Sequence, residues 1–387
     1  MFTRTIAIIL AALFLLGAAL NLFRHREPPH EGAILRTDGY GGTITLDLVR
    51  TADGRIKSLS ILGHNETPSY INDPERFLAQ FNGKDTTNTI ELGKDIDGIT
   101  GATVTSRAVT DAVHAAVKGQ PAAYRHHVNP WDIVIPLLLL PLALAALLLK
   151  DRKLHWAAMS AGFIYFGLIT KTMFSIVQVS NAALLHIPLF AINALWWITL
   201  AVSLLPAFII GRIYCSGLCP FALVQEGLGT LDRRTPHHPA IERSLYSFNP
   251  WHIKYLILTI ILTFCFIIGN AAAANIEAYT TLFTGNGTII AWGLLGLSLI
   301  ASVFYSHFWC RYLCPAGALL GICATIAPIK IKASDNCDAC GACIMVCPVG
   351  AITPCGKGIT INAAECILCG KCLPACKRDF LSLGRKG

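Results

Sequence analysis

Apolar and polar positions along this chain fall into blocks, and the block lengths predict its elements. Residues 5–23, opening Thr-Ile-Ala-Ile-Ile-Leu, are apolar almost throughout, behind a short start that carries Arg4. A helix of about 20 apolar residues spans the hydrocarbon of a bilayer, so this block predicts one membrane span. Gly17-Ala18-Ala19 would also serve as the cleavage site of a signal peptide. The block runs on through Leu20, Leu22 and Phe23, which favours an uncleaved anchor. Later blocks at 133–149, 155–179, 187–211, 254–274 and 288–309 predict further spans.

The stretch 24–132 has a different rhythm. Ile44, Leu46 and Leu48 alternate with Thr45, Asp47 and Val49, the period of a half-buried strand. Asp53-Gly54 predicts a turn, and 55–62 the returning strand. A short helix is expected over 74–81. Val109, Val113, Ala116 and Val117 share one face of a longer helix that Gly119 should stop. The expected architecture is an α-helical membrane bundle of about six spans. It carries an extracytoplasmic α+β domain and a small cysteine-rich cytoplasmic domain. The boundaries are 1–23 for the anchor, 24–132, 133–332 for the membrane core and 333–387.

Composition agrees with this reading. The chain is 54% hydrophobic and 14% charged, with a mean hydropathy of +0.55. A net charge of +8 would suit a nucleic-acid partner, but the cations sit in short segments beside the apolar blocks, so no nucleic acid is expected. Lys150, Arg152 and Lys153 flank one turn. Arg212, Arg233, Arg234, Arg243 and Lys254 occupy the next loop on that side, and Arg311, Lys330 and Lys332 follow the last span. The alternate loops, 180–186 and 275–287, hold no Lys or Arg. Positive charge stays inside, so the C-terminal end faces the cytoplasm of a bacterial inner membrane and 24–132 lies outside it. Lys171 stands within an apolar block, where a charge either serves function or snorkels to the surface.

All fifteen cysteines follow residue 210, which leaves no disulfide framework in the N-terminal polar region. Eight of them form a pattern written twice: Cys337, Cys340, Cys343 and Cys347, then Cys366, Cys369, Cys372 and Cys376. A disulfide knot or two zinc sites would also use eight cysteines. The doubled C-x2-C-x2-C-x3-C spacing is that of a bacterial two-cluster ferredoxin. In that arrangement Cys337, Cys340, Cys343 and Cys376 hold one [4Fe–4S] cluster, and Cys366, Cys369, Cys372 and Cys347 the other. Clusters require a reducing compartment, which again puts this end in the cytoplasm.

Two more cysteine pairs repeat. Cys215-Ser-Gly-Leu-Cys219-Pro220 and Cys310-Arg-Tyr-Leu-Cys314-Pro315 each close an apolar hairpin, and the hairpins 155–211 and 254–309 read as duplicated units. Small apolar packing is one reading of such cysteines. A further iron or iron–sulfur centre on Cys215, Cys219, Cys310 and Cys314 is the other, with each pair on one face of a helical turn. Cys265, alone in mid-span, reads as core packing.

Asp97-Gly-Ile-Thr100-Gly101-Ala102-Thr103-Val-Thr105-Ser106 precedes the longer helix of the polar domain. Ser106 or Thr105 could cap that helix. Free N–H groups at a helix start also suit a phosphate. The stretch resembles the flavinylation motif of extracytoplasmic FMN-binding domains, such as those of the Na+-pumping quinone reductase, the Rnf complex and NosR. Gly39-Tyr40-Gly41-Gly42 and His64-Asn65-Glu66-Thr67-Pro68 resemble the same family, over about residues 39–118. The resemblance implies FMN joined to Thr105 by a phosphodiester, placed there by a flavin transferase. Gly101 and Ala102 would admit the phosphate. Thr100, Thr103 and Ser106 share that turn, and Asp97 would position it. His64, Glu66 and Thr67 would line the flavin.

From about residue 150 onward the chain resembles the membrane cores and ferredoxin tails of NosR and NapH. The resemblance implies transmembrane electron transfer between the cytoplasmic clusters, or membrane quinol, and the extracytoplasmic FMN. A cytoplasmic donor and an extracytoplasmic acceptor would be its partners, with lipid around the core. No catalytic acid or base is legible; any turnover would be of quinol-dehydrogenase type. The alternative is a NosR-like redox sensor or metalloenzyme-maturation factor without net turnover.

Overall fold

The computed structural model describes residues 30–39, 43–64, 66, 74–85, 90–99, 102–119, 130–185, 187–188, 190, 193–230, 252–269, 271, 277–285, 289–356 and 358–385, with Ile8 and Ala12. The anchor expected over 1–23 lies otherwise outside the described residues.

The polar domain is a three-stranded antiparallel sheet, β1 (Ala33–Asp38), β2 (Thr43–Arg50) and β3 (Ile56–Gly63), in that order, with two helices, α1 (Pro74–Ala79) and α2 (Thr103–Val117). Leu46 pairs with Leu35 on one side and Ile61 on the other. Ile44, Leu46 and Leu48 are buried against Phe77, Phe81, Val109, Val113 and Val117. The expected hairpin is present. Strand β1 was not expected, because its apolar residues Ile34 and Leu35 are neighbours and do not alternate. Asp47 fastens its start by accepting from Glu31 N at 3.0 Å and Gly32 N at 2.9 Å.

The remaining described chain shares one apolar core, from Leu139 to Leu381. Helix α3 (Trp131–Leu148) leads to α4 (Arg152–Gly162), which runs on as a π-helical turn, Phe163–Ile169. Then follow α5 (Ile176–Ala183), α6 (Ala194–Ile209), α7 (Ile213–Gly217), α8 (Pro220–Gly229), α9 (His252–Ile268), α10 (Ala278–Thr284), α11 (Ile289–Phe304), a π turn at Trp309–Leu313 and α12 (Pro315–Ile326).

Among the described residues, one helix is long and apolar enough by itself to cross a membrane, Trp131–Leu148. Helices α10 and α11 pass together, bent by 100°. The uninterrupted span expected over 155–179 is instead broken. Lys171 takes a φ of 52°, and Ser175 starts a new helix through a capping box with Gln178. Apolarity marks the block but not its course, because a buried serine cap is invisible to a hydropathy count. Large apolar side chains still face outward on several helices, among them Leu138, Ile260, Phe264, Ile300 and Phe304.

The duplication is structural. In each half a long helix (α4 or α9) is followed by a short one (α5 or α10), a second long one (α6 or α11), the cysteine pair, and a helix opened by proline (α8 or α12). The halves meet where Glu277, just before α10, accepts from Ser175 Oγ and from Ile176 N at the start of α5.

The C-terminal segment closes on this core. Strand β4 (Ile329–Ala333) pairs antiparallel with β7 (Leu381–Arg385), and β5 (Ile352–Cys355) with β6 (Gly358–Ile361). Short helices α13 (Ala342–Met345) and α14 (Cys372–Ala375) lie between. Glu365 fastens the seam. It is buried, holds Lys254 Nζ through Oε2, and accepts from Tyr255 OH at 2.8 Å. Breaking one partner out of a buried ion pair costs about 3–5 kcal/mol, because the other charge stays buried. Glu365→Ala should therefore lower the thermal unfolding midpoint of the purified protein far more than an exposed change such as Glu75→Ala.

Candidate functional site

The two tail loops share one backbone. In 337–343, Ala339 has φ 52° and Gly341 φ 81°; in 366–372, Leu368 has φ 57° and Gly370 φ 71°. Left-handed residues on both sides of the middle cysteine curl each loop around its sulfurs. Glycine takes that conformation freely, whereas Ala339 and Leu368 hold it at a cost.

The sulfurs sort into groups. Cys347, Cys366, Cys369 and Cys372 are all electrostatic neighbours of one another, so a cysteine of the first motif joins three of the second. Cys343 interacts with Cys337 and Cys340, and also with Cys372 of the other group. The sequence pattern expects Cys376 with Cys337, Cys340 and Cys343. Backbone donors face the sulfurs: Ala351 N lies 3.3 Å from Cys347 Sγ, and the amides of Leu368 and Lys371 serve Cys366 and Cys369. Burial pushes Cys366 up to about 11 and Cys369 up to about 12, so a bound cation must displace their protons. Cys340 is exposed, whereas Cys347 and Cys372 are buried against the core.

The C-x3-C-P cysteines also converge. Each sulfur of Cys215, Cys219, Cys310 and Cys314 is an electrostatic neighbour of the other three. The two members of a pair do not share a helical face as the spacing implied. Cys215 lies in α7 and Cys310 in the π turn, but Cys219 and Cys314 stand just before their helices, at φ/ψ −68°/118° and −71°/109°. Proline at the next position disfavours helical geometry there. Both cysteines thus face a helix start, where N–H groups point at sulfur; Gly317 N donates to Cys314 Sγ at 3.1 Å. Gln225 reaches across from the other half. Its Nε2 lies 3.0 Å from Cys310 Sγ, and its Oε1 accepts from Trp309 N at 2.9 Å.

Among the described residues no three His, Cys, Asp or Glu side chains are arranged to hold a single metal ion. The fit to iron–sulfur groups rests on the donor chemistry: sets of sulfurs, backbone N–H donors aimed at them, and an apolar surround.

In the polar domain, α2 begins at Thr103, with Ala102 before it and no side chain capping its N–H groups. Thr105 and Ser106 lie inside the helix, so neither is its cap. Ser106 Oγ instead accepts from Ile99 N at 3.0 Å, which tightens the turn. Asp97 exposes its side chain while Gln80 grips its backbone at 2.8 and 3.1 Å. Thr103 is exposed and Thr105 is 3% exposed. Glu66 is buried beside Gly39, where any side chain would strike its carboxylate. Thr100, Gly101 and Thr67 lie outside the described residues, as do Tyr40, Gly41 and Gly42. The uncapped helix start fits a phosphate.

A 4Fe-4S binding domain model matches residues 192–236 and again 288–333, one match on each C-x3-C-P motif. A second 4Fe-4S binding domain model matches 331–353, and an FMN-binding domain model matches 39–118. MJ0749 of Methanocaldococcus jannaschii is 31% identical over 191 residues, 48% of this chain and 69% of that protein. The ferredoxin-type protein NapH of Escherichia coli is 25% identical over 184 residues, 44% of this chain and 61% of NapH. The regulatory protein NosR of Pseudomonas aeruginosa is 30% identical over 260 residues, 60% of this chain and 35% of NosR.

The chain belongs to the NosR/NapH-like polyferredoxins. It carries an FMN-binding domain ahead of its 4Fe-4S domains. It spans only part of these relatives, about a third of NosR. No solved structure matches it significantly.

Sequence reasoning missed the residues around the sulfurs of this polyferredoxin. Arg212, Lys254, Glu365 and Gln225 are all buried polar groups beside cysteine sets. Lys254 at the head of an apolar block and Glu365 immediately before Cys366 were the available signals.

Two outcomes test the site. Cys347→Ala should deplete the cluster of the second motif while the first keeps its electron paramagnetic resonance signal. In the polar domain, His64 Nδ1 accepts from Glu66 N at 3.2 Å, which requires the neutral ring, and burial lowers the pKa of His64. The unfolded chain then binds the proton first, at about pH 6.5. The His64 contribution to stability is complete above that pH and is lost as pH falls below it, down to the depressed folded value. His64→Gln should flatten the loss of thermal stability between about pH 7 and 5.5.

Proposed function

We propose that this protein carries electrons across a membrane between its cysteine-rich cytoplasmic end and a covalently bound FMN on the opposite side. The observation that carries this reading is the succession of sulfur sets. Solvent-exposed Cys340 marks the outer tail set, the inner tail set packs on the core, and the four C-x3-C-P sulfurs gather within it. Bound clusters supply one-electron storage, and FMN exchanges one- and two-electron chemistry. The hydrocarbon is about 30 Å thick, so the centre within the core serves as the relay. Outward-facing apolar residues such as Leu138, Phe264 and Phe304 support a lipid surround.

The chain's own residues do three things in this scheme. Backbone amides and Gln225 hold the sulfurs and their charge. Apolar packing excludes water from the inner sets. The uncapped start of α2 receives the FMN phosphate, with Thr105 as the attachment oxygen, Thr103 beside it, and Glu66 and His64 toward the ring. A soluble cytoplasmic donor would meet the Cys340 face. A cavity of about 320 Å³ lined by His155, Trp156, Lys371 and Cys369 suits membrane quinol. The acceptor is an extracytoplasmic reductase or carrier.

Kinship with NosR favours a second reading, a redox-sensing regulatory protein without net turnover. Two measurements on the membrane-purified protein, made with an active flavin transferase in the host, test both. Flavin fluorescence should survive in the denatured band and disappear in Thr105→Ala; a dark wild-type band would sink the covalent FMN. Supplied with donor and an external acceptor, a conduit re-oxidises its flavin through many cycles. A single stoichiometric oxidation would favour the sensor.

A further inference from the structure

Arg212 is 1% exposed and carries two donors, Nε and Nη2, that meet no acceptor. Its remaining terminal nitrogen, Nη1, donates to Ala364 O at 3.0 Å and lies 3.9 Å from Glu365 Oε2. That carboxylate is already held by Lys254 Nζ and Tyr255 OH. Two buried cations therefore share one buried anion. An orphaned guanidinium in a dry core is strongly unfavourable unless something anionic completes it.

The position of one orphaned donor, Nη2, points to what that is. Arg212 lies three residues before Cys215, just ahead of α7. Its Nη2 and Cys314 Sγ lie 2.7 and 3.3 Å from the point where a side chain on Gly317 would begin, so the two groups face one small space, open because residue 317 has no side chain. Gln225, which also serves this set, is neutral and supplies no counter-charge.

We infer that Arg212 is the counter-ion of an anionic, thiolate-held centre on Cys215, Cys219, Cys310 and Cys314, donating to its sulfurs through Nη2. Through Nη1 the same side chain grips Ala364, two residues before Cys366 of the inner tail set. Arg212 is thus a positioning residue between two redox centres. It raises the potential of the core centre by favouring the more negative, reduced form, and it holds the tail's Cys366 loop against it. Lysine would keep the charge but not the planar fork that serves both sides. The inference rests on the reading that these four cysteines hold a metal centre.

The test uses the full-length protein, purified anaerobically, with iron and sulfide content and redox titrations followed by electron paramagnetic resonance. Wild type should hold iron beyond that of its two tail clusters, and Cys310→Ala should lose that excess alone. No excess in wild type, or no loss in Cys310→Ala, would refute the underlying four-cysteine reading and take the inference with it. Given a core centre, Arg212→Gln should either shift its midpoint to lower potential or lose its iron, and Arg212→Lys should restore most of the midpoint or the iron. A core signal kept at the wild-type midpoint in Arg212→Gln would overturn the role of Arg212. Should that variant fail to accumulate, Gly317→Ala decides. Its methyl displaces Nη2, so a lowered midpoint with intact tail signals supports the inference and an unchanged midpoint ends it.

Discussion

Two buried cations sharing one buried carboxylate hold this molecule's core and tail together. Lys254 comes from α9, Arg212 from the entry to the first C-x3-C-P motif, and Glu365 from the residue before Cys366. Neither half can bury its charge without the other. Ion pairs in a dry interior add little net stability, but they tolerate few alternative arrangements. The seam therefore sets register as much as strength. It sets Arg212 within electrostatic reach of Cys366 in the tail and of Cys215 and Cys314 in the core.

The duplication shows how a small motif becomes a site. Each copy supplies two thiols, a proline that turns the second thiol out of the helix, and a helix start that faces it. One copy alone provides two of the four thiols. Gln225 of the first half serves Cys310 of the second, and Glu277 of the second starts a helix of the first. The exchanged contacts make the halves interdependent, which keeps four sulfurs from distant chain positions in one place. The tail repeats the device on a smaller scale, since Cys347 leaves its own loop to join Cys366, Cys369 and Cys372.

The helices that enclose these groups are not simple rods. Short α5 and α10 lie within blocks that hydropathy reads as a continuous span or a connecting loop. Buried Ser175, Gln178 and Glu277 satisfy the backbone where the helices break. Interrupted helices in an apolar setting need such partners, because exposed peptide groups find no water there. The same logic explains the many buried hydroxyls, such as Ser302 and Thr284, that bond back to their own helices.

Local chemistry was legible in the sequence. Cysteine spacing, proline after the second cysteine, strand alternation around Leu46 and the Gly-Ala pair before Thr103 each act through neighbours a few residues away. Those signals located the cysteine sets and the FMN-binding domain, but not strand β1 or the broken helix at Lys171. What only the tertiary structure decided depends on residues far apart in the chain. It withdrew Ser106 as a helix cap by giving its hydroxyl to Ile99, and it moved Cys219 and Cys314 out of their helices. It also joined Arg212 to Ala364 across 152 positions. A charge's partner is a matter of burial and distance, and a one-dimensional pattern contains neither.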